Sequence, residues 1–420
     1  MNKRKKIIVV GAGFAGVQFA RKLDERLFDI LLIDKLNHHQ FQPLFYQVAT
    51  SQIEPSSISF PLRNIFKNKW NVQIRMAEVT EINKSKNEIV TDIGNFKYDY
   101  LVIAIGCKTN FFGNNEIEKY ALTLKSTYDA ITIRNNILTT FENIISSNNK
   151  YGFLNLVIVG AGATGVELAG SFAEIKKNVL PKDYHGIDFT NFKIILIEGS
   201  KNTLNNMSEN AKKASMKYLS AMGVTIITET FVTKYDGETV VLSNGNGIKT
   251  KTVIWAAGVC GNKIKGISET SITKSERIKV NRYSKIKDCE NIFALGDIAF
   301  METPKYPNGH PQVANVAINQ AKLLAKNLKA IESDSNRTKK QLKEFEYKDL
   351  GSMATIGNNK AVVDLHFVKF NGYFAWFIWM FLHLMLILSV KNKLIIFIDW
   401  TWKYITKDTS LRLILVHPKK

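Results

Sequence analysis

Two stretches of this 420-residue chain are near copies of each other: VVGAGFAG at 9–16 and IVGAGATG at 158–165. Each follows an apolar, β-branched run of strand type and precedes a segment with helical apolar spacing, so each reads as strand, glycine turn, helix. In that context the three glycines have separate tasks. Gly11 makes the tight turn, Gly13 lets the backbone approach a pyrophosphate, and Gly16 lets helix and strand pack closely. Gly160, Gly162 and Gly165 repeat the set. Each helix then points free N–H groups at the phosphates. An acid closes each following strand: Asp34 in DILLID and Glu198 in KIILIEG. A carboxylate there accepts hydrogen bonds from ribose hydroxyls, and at Glu198 it repels a 2′-phosphate. From Gly11 the acid is 23 residues away; from Gly160 it is 38, because KKNVLPKDYHGIDFTNF lengthens the connection. The expected fold is α/β, with two Rossmann-like dinucleotide-binding domains. The first helix is expected over Phe14–Leu27.

The remaining composition narrows the class. At 45% hydrophobic and 22% charged residues, the chain buries a core of two or three compact units. A formal charge of +20 calls for an anionic partner, and no known nucleic-acid module is present, so a lipid surface is expected and nucleic acid is not. Cys107, Cys260 and Cys289 are far apart, which argues against a disulfide framework or a CxxC centre. MNKRKKIIVV is too short in its apolar part for a signal peptide. His38 and His39 have no partner at ligand spacing, so no metal is expected.

ENIFALGDIA at 290–299 resembles the second flavin motif of the two-dinucleotide flavoproteins. LVIAIG at 101–106 and VIWAAG at 253–258 resemble their crossings between domains. DKLNHHQFQPLFYQVAT at 34–50, GSMATIG at 351–357 and GYFAWFIWMFLHLMLILSVKNK at 372–393 resemble the type II NADH:quinone oxidoreductases. The resemblance implies non-covalent FAD at the first loop, NADH at the second, hydride transfer between them, and two electrons passed to a membrane quinone without proton pumping. It places the ribityl chain on Asp297 and adds Lys35, Thr50, Gly106, Gly258 and Ala314 to the cofactor-binding set. The expected domains are FAD-binding at 1–115 and 285–335, NADH-binding at 116–284, and a membrane-anchoring module at 336–420.

The C-terminus separates this reading from a soluble FAD-dependent NADH:ferredoxin-type reductase, which would share both loops. Residues 336–420 hold 14 Lys and Arg against 6 Asp and Glu. Tyr373–Val390 carries no formal charge, and Trp376, Trp379, Trp400 and Trp402 cluster around it. His383 interrupts the run, Lys391 and Lys393 cut it, and an amphipathic stretch with Asp399 and Lys403 four residues apart follows. Two short helices lying in the membrane plane are expected, a peripheral, monotopic attachment. The resemblance adds the cytoplasmic face of the cell inner membrane and a homodimer.

Hydride transfer needs positioning groups rather than a protein nucleophile. The resemblance puts Glu167 beside the nicotinamide, where it orients the carboxamide. It also implies a helix, expected from near Gln312, whose amide side chains line the quinone pocket. The family has glutamines there, whereas this chain has Asn315 and Asn319 ahead of Gln320, and asparagine reaches one methylene less far. Gln47 and Thr50 belong to the block implied to run along the flavin toward the quinone. They are three apart and share a helical face. Residues 34–60 lack the cysteine pair of the disulfide reductases.

Overall fold

The computed structural model describes residues 3–146, 154–333, 342–365, 367–409 and 411–415. The chain forms two compact units. The first comprises residues 1–40, 60–108 and 259–348; the second comprises 41–59, 109–258 and 349–420.

In the first unit a five-stranded parallel sheet runs in the order Ile292–Ala294, Tyr100–Ile103, Lys5–Val10, Phe28–Asp34, Val72–Met76. The central strand is apolar on both faces because both are covered. Ile7 and Val9 pack with Phe19 and Leu324, from helices Phe14–Lys22 and Ala314–Ser333. Ile8 and Val10 pack with Ile267, Ile278 and Ile286 on the other side. Each such side chain contributes roughly 1.5–3 kcal/mol when fully buried. Gly11 has φ +100°, and a Cβ at Gly16 would collide with its carbonyl, so a larger residue at either place would separate helix from strand.

The second unit repeats the device. Its parallel sheet runs Val224–Ile227, Ile194–Ile197, Leu156–Val159, Thr252–Trp255, with helix Ala163–Asn178 leaving the second glycine loop. Helix Glu209–Ala221 starts on Ser208, whose hydroxyl accepts from the N–H of Ala211 and donates to Asp364. Asp364 belongs to an antiparallel sheet of Ser352–Thr355, Ala361–Asp364 and Lys369–Gly372, which packs on both helices. Helices Tyr373–Leu386 and Val390–Thr406 follow.

The expected boundaries and the compact units differ in several places, among them residues 109–115, which belong to the second unit, and 336–348, which belong to the first. Residues 259–284 sit with the first unit, because Ile278–Val280 pairs with Ala299–Met301 and Ile267 and Ile278 join its core. Residues 41–59 sit with the second, where helix Phe45–Ala49 packs on Thr127–Ser146 and Ala163–Asn178. The C-terminal segment is part of that same second unit from Asp349 onward. Residues 336–341, 366, 410 and 416–420 of the expected anchoring module lie outside the described residues.

Local corrections are smaller. The first helix ends at Lys22, where Leu23 turns extended, rather than reaching Leu27. The later one starts at Ala314, not Gln312; Val313 O accepts its first bond from Ala317 N, after Pro311. The apolar C-terminal run breaks at Ile387–Ser389, ahead of the lysines, because Ile387 and Ser389 both adopt extended backbone.

Candidate nucleotide and quinone sites

In the first unit, Asp34 receives the N–H of Ala12 at 2.6 Å on one oxygen and that of Leu36 at 2.8 Å on the other. Burial raises its pKa above the ordinary carboxylate value, and the two amides oppose the shift. His39 bonds the carbonyl of Ala12 and so braces the loop from behind. Nothing lies within 4 Å of a Cβ built on Gly13, so no protein atom explains the glycine there.

The turn at Gly296–Asp297 is held by four side chains, one of them Cys107, whose Sγ donates to Asp297 O at 3.3 Å. Gln320, 1% exposed, accepts the N–H of Gly296 at 2.8 Å. Arg277 donates to the carbonyls of Asp297 (2.9 Å) and Ala299 (2.6 Å), and Gln312 donates to Asp297 O (3.2 Å) and to Cys107 Sγ (2.8 Å). Asn319 donates to Asn315 at 2.9 Å, one turn earlier on the helix. Gly106 has φ +64°, and Ala314 opens the helix. Lys35 forms an exposed ion pair with Glu78, of a kind that contributes little to stability.

The second unit repeats the acid-to-loop clasp and adds one side-chain bond. Glu198 receives Ala161 N at 2.6 Å on one oxygen; Ser200 N (2.8 Å) and Oγ (2.7 Å) reach the other. Gly162, like Gly13, has nothing within 4 Å of a built Cβ, and Gly258 has φ +139°. Glu167 is buried one turn into the helix. Its carboxylate accepts Thr355 N at 3.3 Å, too little to offset desolvation, and its pKa is pushed up to about 8. At neutral pH it is a protonated acid that can donate as well as accept.

From Glu167 a hydrogen-bonded chain continues. Thr355 Oγ1 meets Tyr46 Oη at 2.9 Å, Gln47 donates to that phenol at 2.9 Å, and Trp400 donates to Gln47 Oε1 at 2.7 Å. Thr50 donates to Tyr46 O and receives Gln52, whose carbonyl takes Lys403 Nζ at 2.6 Å. Lys403 also stands 3.6 Å from Glu174, two turns beyond Glu167 on one face of the helix. Lys403 thus turns to Gln52 and Glu174 rather than to Asp399, four residues before it, and Asp399 rises to about 6 through burial and the nearby Glu54. Burial lowers the Lys403 pKa, and Glu174 opposes the shift. Tyr46, Gln47, Trp379, Trp400 and Lys403 line a small cavity of about 20 Å³. Trp379, 1% exposed, has no hydrogen-bond partner for its indole N–H among the described residues.

Residues 5–321 match the model of the pyridine nucleotide-disulphide oxidoreductases, and residues 350–407 match the NDH2 C-terminal domain. A type II NADH:quinone oxidoreductase of Mycobacterium tuberculosis is 32% identical over 419 residues, covering 96% of this chain and 89% of the relative. The chain belongs to the type II NADH:quinone oxidoreductases. A Staphylococcus aureus member is 28% identical over 86% of this chain and 89% of its own. The structure of NDH2 from Plasmodium falciparum in complex with NADH superimposes with a TM-score of 0.89 at 22% identity, covering 99% of this chain and all of that one, so the fold is shared.

Within this type II oxidoreductase the expected site residues fall into two sets. Gly11, Gly13, Gly16, Asp34, Lys35, Gly106, Asp297, Ala314, Asn315, Asn319 and Gln320 are in the first unit; Gln47, Thr50, Gly160, Gly162, Gly165, Glu167, Glu198 and Gly258 are in the second. Tyr46, Gln52, Thr355 and Lys403 were not expected. Glu174 had a signal, its seven-residue spacing from Glu167.

Proposed function

We propose that this chain oxidises NADH and reduces a membrane quinone through bound FAD, with the first glycine loop and Asp34 holding FAD and the second loop and Glu198 holding NADH. Bound FAD would supply the hydride acceptor for the nicotinamide and the two-electron donor for the quinone. The protein's part is placement. The loop amides and helix N-termini take the pyrophosphates, and the acids take the ribose hydroxyls. Protonated Glu167 presents both a donor and an acceptor, the pair that a nicotinamide carboxamide needs for orientation. Gln320, Arg277 and Gln312 fix the Asp297 turn for the ribityl chain. Asn315 and Asn319 are quinone-facing amides in this reading, with their mutual bond available for exchange.

The observation that carries the quinone assignment is the unpaired, buried indole N–H of Trp379 in a cavity that also holds Lys403 and the Tyr46 hydroxyl. An unmade buried donor costs about 1–3 kcal/mol until a ligand supplies the acceptor, and a quinone carbonyl oxygen is such an acceptor. No described helix is long and apolar enough to cross a membrane. Instead Phe374, Phe377, Phe381, Phe397, Ile398 and Trp402 are exposed along the two C-terminal helices. With the basic charge of this segment they suit attachment to an anionic lipid surface. The cytoplasmic face and a homodimer belong to this reading through the family alone.

Trp379→Phe keeps an aromatic ring, smaller than the indole, and deletes the donor. The KM for a soluble quinone should rise roughly two- to tenfold, from a bond worth about 0.5–1.5 kcal/mol, with NADH-dependent dye reduction unchanged. Unchanged quinone kinetics would remove the cavity from the site, and a preference of the parent protein for ferredoxin over quinone would overturn the function.

A further inference from the structure

Phe231 is 64% exposed, and among the described residues from 154 to 258 no other large apolar side chain is exposed. It stands immediately before the strand Val232–Tyr235, just beyond the carboxyl end of the sheet strand Val224–Ile227. Its ring lies over Gly199, so closely that a Cβ on Gly199 would collide with it. Gly199 is the residue between Glu198 and Ser200, the two that close the nucleotide loop.

The backbone around Phe231 is tied to that corner from both sides. Glu229 donates to Ser200 O and Thr230 to Glu198 O, both at 3.1 Å. Phe231 N donates to Ser243 Oγ at 3.1 Å, and Ser243 N returns a bond to Phe231 O at 2.8 Å. Glu229, at φ +53°, makes the reversal that turns the ring back toward the acid. An aromatic ring held in water by this much backbone gains nothing from burial in the fold, whereas a planar ligand would cover it.

Nucleotides in open α/β sheets lie across the carboxyl ends of the strands, with the ribose on the acid. The base attached to that ribose therefore sits beyond Glu198, and Phe231 is the exposed aromatic there. We propose that Phe231 is the platform on which the adenine of NADH stacks, a positioning residue that sets affinity through the half of the molecule remote from the hydride. The inference rests on the assignment of NADH to the second loop.

The test uses the full-length, FAD-loaded protein and three probes: NADH, ADP-ribose, and reduced nicotinamide mononucleotide, which has no adenine. Phe231→Ala should raise the Kd of NADH and of ADP-ribose by roughly five- to a hundredfold, the range for loss of one base–aromatic stack. The mononucleotide should bind and react as before, so KM for NADH rises while kcat holds. Phe231→Trp should restore affinity. Gly199→Ala, which pushes the ring aside without removing it, should move Kd in the same direction as Phe231→Ala. Unaltered ADP-ribose binding in Phe231→Ala overturns the platform while leaving the NADH assignment intact. Equal losses for ADP-ribose and the mononucleotide also overturn it, because the damage would then not be confined to the adenine. Failure of the parent protein to bind either NADH or ADP-ribose overturns the assignment beneath it.

Discussion

Replacing Glu167 by glutamine keeps the shape and the acceptor that meets Thr355 N but removes the titration. In the native chain this carboxyl has its pKa pushed up from 4.5 to about 8, chiefly by desolvation. The sign follows from linkage: the native state binds the proton more tightly than the unfolded chain, so the associated stability is complete below pH 4.5. It is lost as pH rises, because the unfolded chain releases the proton first, and the loss levels off above pH 8. At 1.36 kcal/mol per pKa unit, the change between pH 5 and pH 8 is about 3 kcal/mol. Urea denaturation of the native chain and of Glu167→Gln, both FAD-replete, at four pH values across this window would measure it. Groups common to both, such as Asp399 with its pKa of about 6, cancel in the difference. The variant should gain on the native chain by about 3 kcal/mol from pH 5 to pH 8. Parallel stability curves would mean that Glu167 ionises normally, and its role as a proton-bearing partner of the carboxamide would fail with it.

Glu198 should impose a preference for NADH over NADPH of roughly one to three orders of magnitude in kcat/KM, since a 2′-phosphate beside a carboxylate costs several kcal/mol at reduced dielectric. Glu198→Gln should narrow that gap, and equal constants for the two nucleotides in the native protein would refute it. Changing Phe377, Phe381 and Phe397 together to serine should release the protein from anionic liposomes in a sedimentation assay while leaving dye reduction intact; full retention would place the lipid contact elsewhere. Asn315→Gln with Asn319→Gln should change quinone kcat/KM by roughly two- to tenfold in either direction, because one neutral hydrogen bond is at stake. Stopped-flow mixing should show flavin bleaching by NADH unaltered, and a change confined to bleaching would move both residues to the nicotinamide side.

The parts legible in the sequence are those whose chemistry is local. Each glycine loop lies beside its own strand and helix, and each acid ends the next strand, so the clasps Asp34–Ala12 and Glu198–Ala161 span only 22 and 37 residues. The cavity is the opposite case. Tyr46 meets Thr355 across 309 positions, Lys403 meets Gln52 across 351, and Trp400 meets Gln47 across 353. No periodicity within a window of helix length carries such pairings. Lys403 illustrates why local rules failed there. An i,i+4 pair with Asp399 is worth a few tenths of a kcal/mol in water, whereas Glu174 offers a buried carboxylate that needs a cation. Asn315 and Asn319 were recognisable as a departure, but only the helix itself shows that the two short amides reach each other.

The chain passes from one unit to the other at residues 40–41, 59–60, 108–109, 258–259 and 348–349, and this has a cost during synthesis. Strand Tyr100–Ile103 cannot gain its outer neighbour, Ile292–Ala294, until nearly 190 further residues have been made. At roughly 5–20 residues per second, that strand waits about ten to forty seconds on the ribosome with its edge unpaired. An open, apolar strand edge is a template for pairing with other chains. The second unit waits longer still, because Ser352–Thr355 and the helices that complete it come last. Neither unit can finish before the other has begun.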